Sequence, residues 1–580
     1  MDKDCRPTQN SGGVITEEAF ETFLKCPTKS YLRGIDAIGA QSEFGEWQER
    51  QLAHFKQTAW ERFQSSVARD ELFVGTPPPH VLKERRYRVI LDYVVDLPEI
   101  RSRLHALERS ASARDTVHST YIPVRFVPTD KLTVFDKLLL AFGALALFRA
   151  SGKMPHVGKI IHGRQHATVR VPLTELIGEV RLVLSRITAQ QGGDTPPPLV
   201  LNKHCLECAF QSRCRQISVE RDDLSLLANM TVKERKKLHD KGIFTVTQLS
   251  YTFRPRRHFT PPVMKQQHAL KALAIRKKQI HIFGTPTLSA PGTPVYFDVE
   301  GDPDRDFYYL IGLRTSSADS FLHYSFWAND LSDERDMWTE CLRRLGAIDN
   351  PRLIHYGSYE TQFLKRMKTR YPNIGNPVFL EQLGKSALNL LSVIYAHAYF
   401  PTYSNSLKEV ARYLGFRWSD NTSSGLTALV WRSQWESSRE PGLKRKLVTY
   451  NAEDCEALQK VTLAVSAFCQ AASSEGQPMA EVVNVDSLKR EYPQRFGEVE
   501  FLLPEFQRIN EASYWDYQRN RVYVRSNQRL RRLSRETFKR HSTRAQVRPN
   551  KVITIEEPRP VSCCHCNDAM IYRFCARIRK

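Results

Sequence analysis

The apolar residues of this chain follow two periods, and the changes from one to the other divide it into elements. Phe20, Phe23 and Leu24 share one face of a helix that Thr16 can cap and that the pair Cys26 and Pro27 ends. Residues 138–148 are apolar all round, as in a buried helix. Residues 224–249 read as two short helices about a turn at Gly242. The clearest alternation is PVYFDVE at 294–300, a strand that puts Asp298 and Glu300 on one face. The turn GDP at 301–303 leads into a returning strand over 307–313, and a third strand follows at 320–327. An amphipathic helix over 332–345, a strand over 352–356 and a helix over 361–370 complete this run. On a later helix Tyr450 and Asp454, four positions apart, face the same way.

Composition decides what kind of molecule carries these elements. The 580 residues predict about three to four domains at roughly 150 residues each. The 41% of hydrophobic residues is enough for packed cores and argues against wholesale disorder. Residues 1–13 have no apolar signal core, and the run 138–148 is too short to span a bilayer, so the expectation is a cytoplasmic chain with no membrane association. Lysine and arginine number 85 against 63 aspartates and glutamates, a formal charge of +22. That excess is uneven: +15 over 1–290, −1 over 291–470, −3 over 471–500 and +11 over 501–580. Nucleic acid, DNA or RNA, is the partner such basic flanks imply, with the flanks gripping phosphate and the neutral middle doing the chemistry. Loop signals at 192–198, 289–294 and 473–476 set boundaries. The expected architecture is α/β and multidomain: an N-terminal domain at 14–216, a basic helical connector at 217–288, a domain at 290–470 and a small basic C-terminal region at 485–580.

Among twelve cysteines, Cys205, Cys208 and Cys214 form C-x2-C-x5-C. With no secretion signal, that spacing points to metal ligation rather than disulfides. Cys26 upstream of this triplet resembles the RecB-type and CRISPR-adaptation nucleases of the PD-(D/E)XK fold. The resemblance implies a 4Fe–4S cluster on Cys26, Cys205, Cys208 and Cys214; zinc on the same four thiolates is the alternative. That fold carries an Asp, then Glu-x-Lys, then Gln-x3-Tyr, whereas the hairpin that the resemblance implies at 104–109 and 121–127 offers His105, Arg125 and Val127. The domain therefore reads as a degenerate nuclease that binds nucleic acid or scaffolds the rest, unless Asp92, Asp96, Glu99 or Glu108 stands in. His54 is either the accessory metal histidine of that fold or a surface residue. The connector is similar to a helix-hairpin-helix, whose turn presents N–H groups to phosphate. In the C-terminal region, aromatics between cations (Tyr514, Trp515, Tyr517, Tyr523, Arg529, Arg535) suit stacking on nucleic acid, and Cys563, Cys564, His565, Cys566 and Cys575 form a partial zinc-ribbon-like set.

The acids of the middle domain recur in a fixed order: Asp298 and Glu300 on the first strand, Glu360 just past the fourth, and Asp454 with Tyr450 on the late helix. Together with SNSLKEV at 404–410, this set resembles the DEDD exonucleases and the YprB-type ribonuclease H-like domain. Its coupling to a cysteine-bearing, RecB-like N-terminus resembles a group of predicted RecB-family nucleases. The resemblance implies two Mg²⁺ or Mn²⁺ ions held by Asp298, Glu300, Glu360 and Asp454, with Asp298 bridging them and Tyr450 hydrogen-bonding the attacking water. Glu360 is one methylene longer than the family's usual Asp. Such ions answer an electrostatic problem, since two carboxylates about 4 Å apart repel by roughly 4 kcal/mol at an effective dielectric near 20. The function implied is a metal-dependent nuclease working 3′→5′. The alternative is an inactive nucleic-acid-binding accessory protein of a mobile element or repair system.

Overall fold

The computed structural model describes residues 13–40, 43–78, 86–109, 120–193, 195–253, 267–284, 288, 291–317, 320–420, 424–473 and 482–488. The basic C-terminal region beyond 488, with its aromatic residues and its cysteine cluster, lies outside them.

The N-terminal part opens with β1 (Ile15–Thr16) and α1 (Glu17–Lys25). Thr16 caps α1 by accepting the Ala19 amide at 3.1 Å, and Phe20 is fully buried. Cys26 ends this helix and caps α2 (Pro27–Gly34), its sulfur accepting the Lys29 amide. The helix α3 (Glu43–Ser66) precedes a sheet ordered β2 (Leu72–Val74), β3 (Val89–Asp96), β4 (Ile100–Arg109), β5 (Tyr121–Val127), β6 (Val157–His162), β7 (Ala167–Pro172), with β1 parallel to β4. The strands β4 and β5 form an antiparallel hairpin, as expected for 104–109 and 121–127. On one face of the sheet lies α4 (Val134–Ser151), whose residues 138–147 are all buried, backed by α5 (Thr174–Gln191). The other face packs on Phe55 and Ala59 of α3. Asp92 has φ +59, and the side-chain alternation of β3 reverses there: Val89 and Leu91 face α3, whereas Tyr93 and Val95 face α4. Aspartate tolerates this left-handed conformation better than most residues.

The connector holds α6 (Gln211–Glu220), α7 (Val232–His239), α8 (Val246–Ser250) and α9 (His268–Lys277). Leu224, Leu227, Val246, Leu249 and Ala272 give it a small core, against which Tyr403 of the following domain packs. It also supplies β8 (Ile280–Ile282), a strand that a helical reading of this segment misses. Three residues carry no measurable period, and the partners of β8 come from far along the chain: β14 (Ala398–Tyr399) antiparallel and β15 (Val482–Asn484) parallel.

The middle domain is built on β9 (Thr293–Asp302), β10 (Phe307–Ser317), β11 (Ser320–Trp327), α10 (Glu334–Gly346), β12 (Pro351–His355) and α11 (Tyr359–Arg370). Then follow α12 (Pro377–Ser386), β13 (Leu388–Asn389), α13 (Leu390–His397), α14 (Leu407–Tyr413), α15 (Gly425–Ser438) and the 33-residue α16 (Pro441–Ser473). The five strands run β11-β10-β9-β12-β13; β9, β10 and β11 are antiparallel neighbours, and β12 is parallel to both β9 and β13. One face is sealed by Trp338 and Phe363, the latter 5.3 Å from the Trp338 ring and 5.9 Å from Phe297. The other face receives α16. Among the described residues, no helix is long and apolar enough to cross a membrane.

Candidate metal centre

A central strand is the stiffest place on which to mount charged groups, and β9, paired on both sides, carries Asp298 and Glu300 two residues apart, both half-buried. The helix α16 crosses above them and brings Tyr450, Asn451, Asp454 and Cys455 to the sheet from successive turns. The approach depends on Gly312, which lies opposite Asp298 on β10. A Cβ at Gly312 would stand 2.1 Å from Asn451 Oδ1 and 2.9 Å from Cys455 Sγ, both on a fixed helix. Gly312→Ala is therefore expected to cost about 1–3 kcal/mol of stability through overpacking, measured by chemical denaturation.

Ligand oxygens of Asp298, Glu300 and Asp454 all lie within 4.8 Å of one another. Asp298 is held from above by Asn451, whose Nδ2 donates to Oδ2 at 2.6 Å and to the backbone carbonyl at 3.3 Å. Asp454 accepts the Trp418 indole N–H at 2.7 Å and also a hydrogen bond from the Tyr450 hydroxyl. The ammonium of Lys408 sits 4.8 Å from the Tyr450 ring centroid and 5.4 Å from that of Trp418.

Burial, followed by the nearby carboxylates of Asp454, Glu300 and Glu360, raises the Asp298 carboxyl well above its ordinary range. Burial, then Asp454 and Glu360, pushes Glu300 up to about 8, against the opposing pull of Lys408. Burial raises Asp454 to about 6, while Trp418, Lys408 and Tyr450 oppose the rise. Without a counter-cation, the three carboxylates therefore cannot all be charged at neutral pH.

Glu360 stands at the first turn of α11, is 4% exposed and does not join the close group of three. Its Oε2 lies 3.5 Å from His355 Nδ1, and neither atom has a hydrogen-bond partner. A buried carboxylate oxygen without a hydrogen bond beside an acid cluster suits a divalent cation, and so does the all-oxygen donor set. Tyr450 is 7% exposed and points to Asp454. The neighbouring acids are engaged in local structure: Asp302 accepts the Asp304 and Arg305 amides and the Arg305 guanidinium, and Glu453 accepts the Ser419 amide. Asn451, Trp418 and His355 carry no sequence signal of their own beyond the position of Asn451 beside Tyr450.

The N-terminal sheet gathers no such set among the described residues. Each acid that might replace the missing ones is ion-paired: Asp92 with Arg103 at 2.6 Å, Asp96 with Arg101 at 2.8 Å, Glu99 with Arg149 at 3.0 Å and Glu108 with Lys159 at 2.6 Å. His105 accepts the Phe126 amide on Nδ1 at 2.9 Å, and Arg125 pairs with Glu17. His54 is exposed on α3.

Cys26, Cys205, Cys208 and Cys214 line one cavity of about 380 Å³, and none is in a disulfide. Asn202 draws the two stretches together, donating to the Lys25 carbonyl at 3.1 Å while its amide donates to Cys205 Sγ at 3.2 Å. Burial, then Cys208, Cys26 and Cys205, pushes the Cys214 thiol up to about 11. No three of the four sulfurs lie within 4.8 Å of one another.

Residues 295–465 match the model of the RNase_H superfamily, and this part of the chain is a ribonuclease H-like domain. No curated protein matches the chain.

Proposed function

We propose that the chain is a metal-dependent nuclease that hydrolyses phosphodiester bonds of DNA or RNA at a DEDD-type site, removing nucleotides from the 3′ end. The observation that carries this reading is the convergence of Asp298, Glu300 and Asp454 within 4.8 Å on the central strand and crossing helix of a ribonuclease H-like domain. Bound Mg²⁺ or Mn²⁺ would activate water and stabilise the leaving oxygen. The protein's own contribution is placement. Asn451 fixes the rotamer of Asp298, and Trp418 and Tyr450 fix that of Asp454. Glu360 keeps an oxygen free for an ion or its water. Tyr450, neutral and anchored on Asp454, borders the place where the attacking water would stand. The experiment is cleavage of 5′-labelled single strands of DNA and RNA with Mg²⁺ or Mn²⁺, where a ladder of progressively shortened products is expected. Strands left intact under every condition would contradict the reading.

For the N-terminal domain, the ion-paired acids support a degenerate RecB-like nuclease that binds or scaffolds. For the cysteines, a 4Fe–4S cluster is the reading that their gathering around one cavity and the RecB-like pattern support, with zinc on the same four thiolates the alternative. Protein purified without oxygen is expected to be brown and to contain iron and sulfide; a colourless protein with one zinc per chain would contradict this.

A further inference from the structure

The basic flanks are not the nearest cations to the acid cluster. On α16, Arg445, Lys446 and Thr449 are exposed and follow one another at helical spacing toward Tyr450. They line a cavity of about 400 Å³ that reaches Tyr450 itself. Buried Trp431 forms its floor, with the Lys446 ammonium 5.6 Å from the ring centroid. Two acids also border it: Glu453 is held by the Ser419 amide at 3.0 Å, and Asp420 lies on the rim. The domain is neutral in sum, yet it is polarised at this point, with carboxylates at the bottom of the site and cations about two turns of helix from Asp454.

We infer that this cavity is the track of the single strand at the centre, with Arg445 and Lys446 holding phosphates a few nucleotides from the bond that is cut. The inference rests on the nuclease reading and adds to it where the strand lies. Lys446 and Asp454 are eight residues apart on α16, about 12 Å along its axis, and a stacked strand advances about 3.4 Å per phosphate. The two cations thus fall about three to four phosphates from the cluster. A polyanion approaching three carboxylates is repelled unless fixed cations lie beside its path, and these two are the cations the cavity supplies.

The test is binding rather than cleavage. Affinity for a short fluorescent single-stranded oligonucleotide is measured by anisotropy, without divalent ions, in the Asp298→Ala background, over a range of salt. Adding Arg445→Ala and Lys446→Ala is expected to weaken binding about tenfold at moderate salt. It should also flatten the plot of log affinity against log salt by about 1.4, the release of two counterions at roughly 0.7 each. The exchange Arg445→Lys with Lys446→Arg is expected to retain both properties. A double alanine variant that is folded by circular dichroism and binds with the parent's affinity and salt slope overturns the inference. That outcome would leave the nuclease reading untouched, whereas cleavage by Asp298→Ala would overturn the nuclease reading instead.

Discussion

Replacing Asp298 by alanine is expected to lower metal-dependent cleavage by about 10³-fold or more, equivalent to at least ~4 kcal/mol of barrier. Asp298 sits on the central strand, faces Glu300 and Asp454 within 4.8 Å and is held in one rotamer by Asn451. Its loss removes a third of the close charge and leaves the Asn451 amide without its acceptor. Asp298→Asn separates charge from volume. It keeps the shape and should be nearly as inactive, because a carboxamide does not neutralise a divalent ion. The readout is initial rates on end-labelled strands, and comparable rates for wild type and Asp298→Ala would remove this residue from the chemistry.

The second large effect is on stability. Glu300 is pushed up to about 8 and Asp454 to about 6, in both cases chiefly by burial. A carboxyl whose folded value lies above its unfolded one binds protons more tightly in the folded state. Its favourable contribution is complete below the ordinary carboxylate range and is lost as pH rises through the folded value. The metal-free protein is therefore expected to lose stability as the pH climbs from about 4.5 to about 8, with the steepest part set by these two groups. A divalent ion reverses the trend, since it replaces the protons. At a hundredfold excess over its dissociation constant it adds about 2.7 kcal/mol, and the gain in melting temperature should grow with pH. Thermal melts with and without Mn²⁺ check this; a metal response that shrinks as pH rises would contradict the charge account.

Much of the middle domain is legible from the chain because its signals are local. The alternation over 294–300 leaves Asp298 and Glu300 half-buried beside buried Phe297 and Val299 and places the two acids together without reference to any partner, while the apolar run 307–313, buried throughout, marks the strand that returns beside it. Tyr450 and Asp454 are legible for the same reason, one helical turn apart. What escapes the sequence is whatever a long-range contact decides. Trp418 reaches Asp454 from a loop after α14, and an isolated tryptophan reads as core. Asn451 matters only because Gly312 on another element leaves room for it. Glu360 is legible as an acid past a strand, but its distance from the other three is set by how α11 sits on the sheet, and the pattern carries no trace of the His355 beside it. In the N-terminal domain the hairpin is placed by the family resemblance rather than by any period, since 104–107 and 122–124 are buried at every position. That Asp92, Asp96, Glu99 and Glu108 each find a cation depends on cross-strand and helix neighbours that no period reports.

The central claim is that Asp298, Glu300 and Asp454 form a site for divalent metal. Calorimetric titration of the metal-free protein with Mn²⁺, at a pH below the Glu300 value of about 8, tests it most directly. Saturable binding is expected, with proton release seen as a dependence of the heat on the buffer, and with both lost in Asp298→Ala. Absence of binding, or binding that survives unchanged in Asp298→Ala, would contradict it.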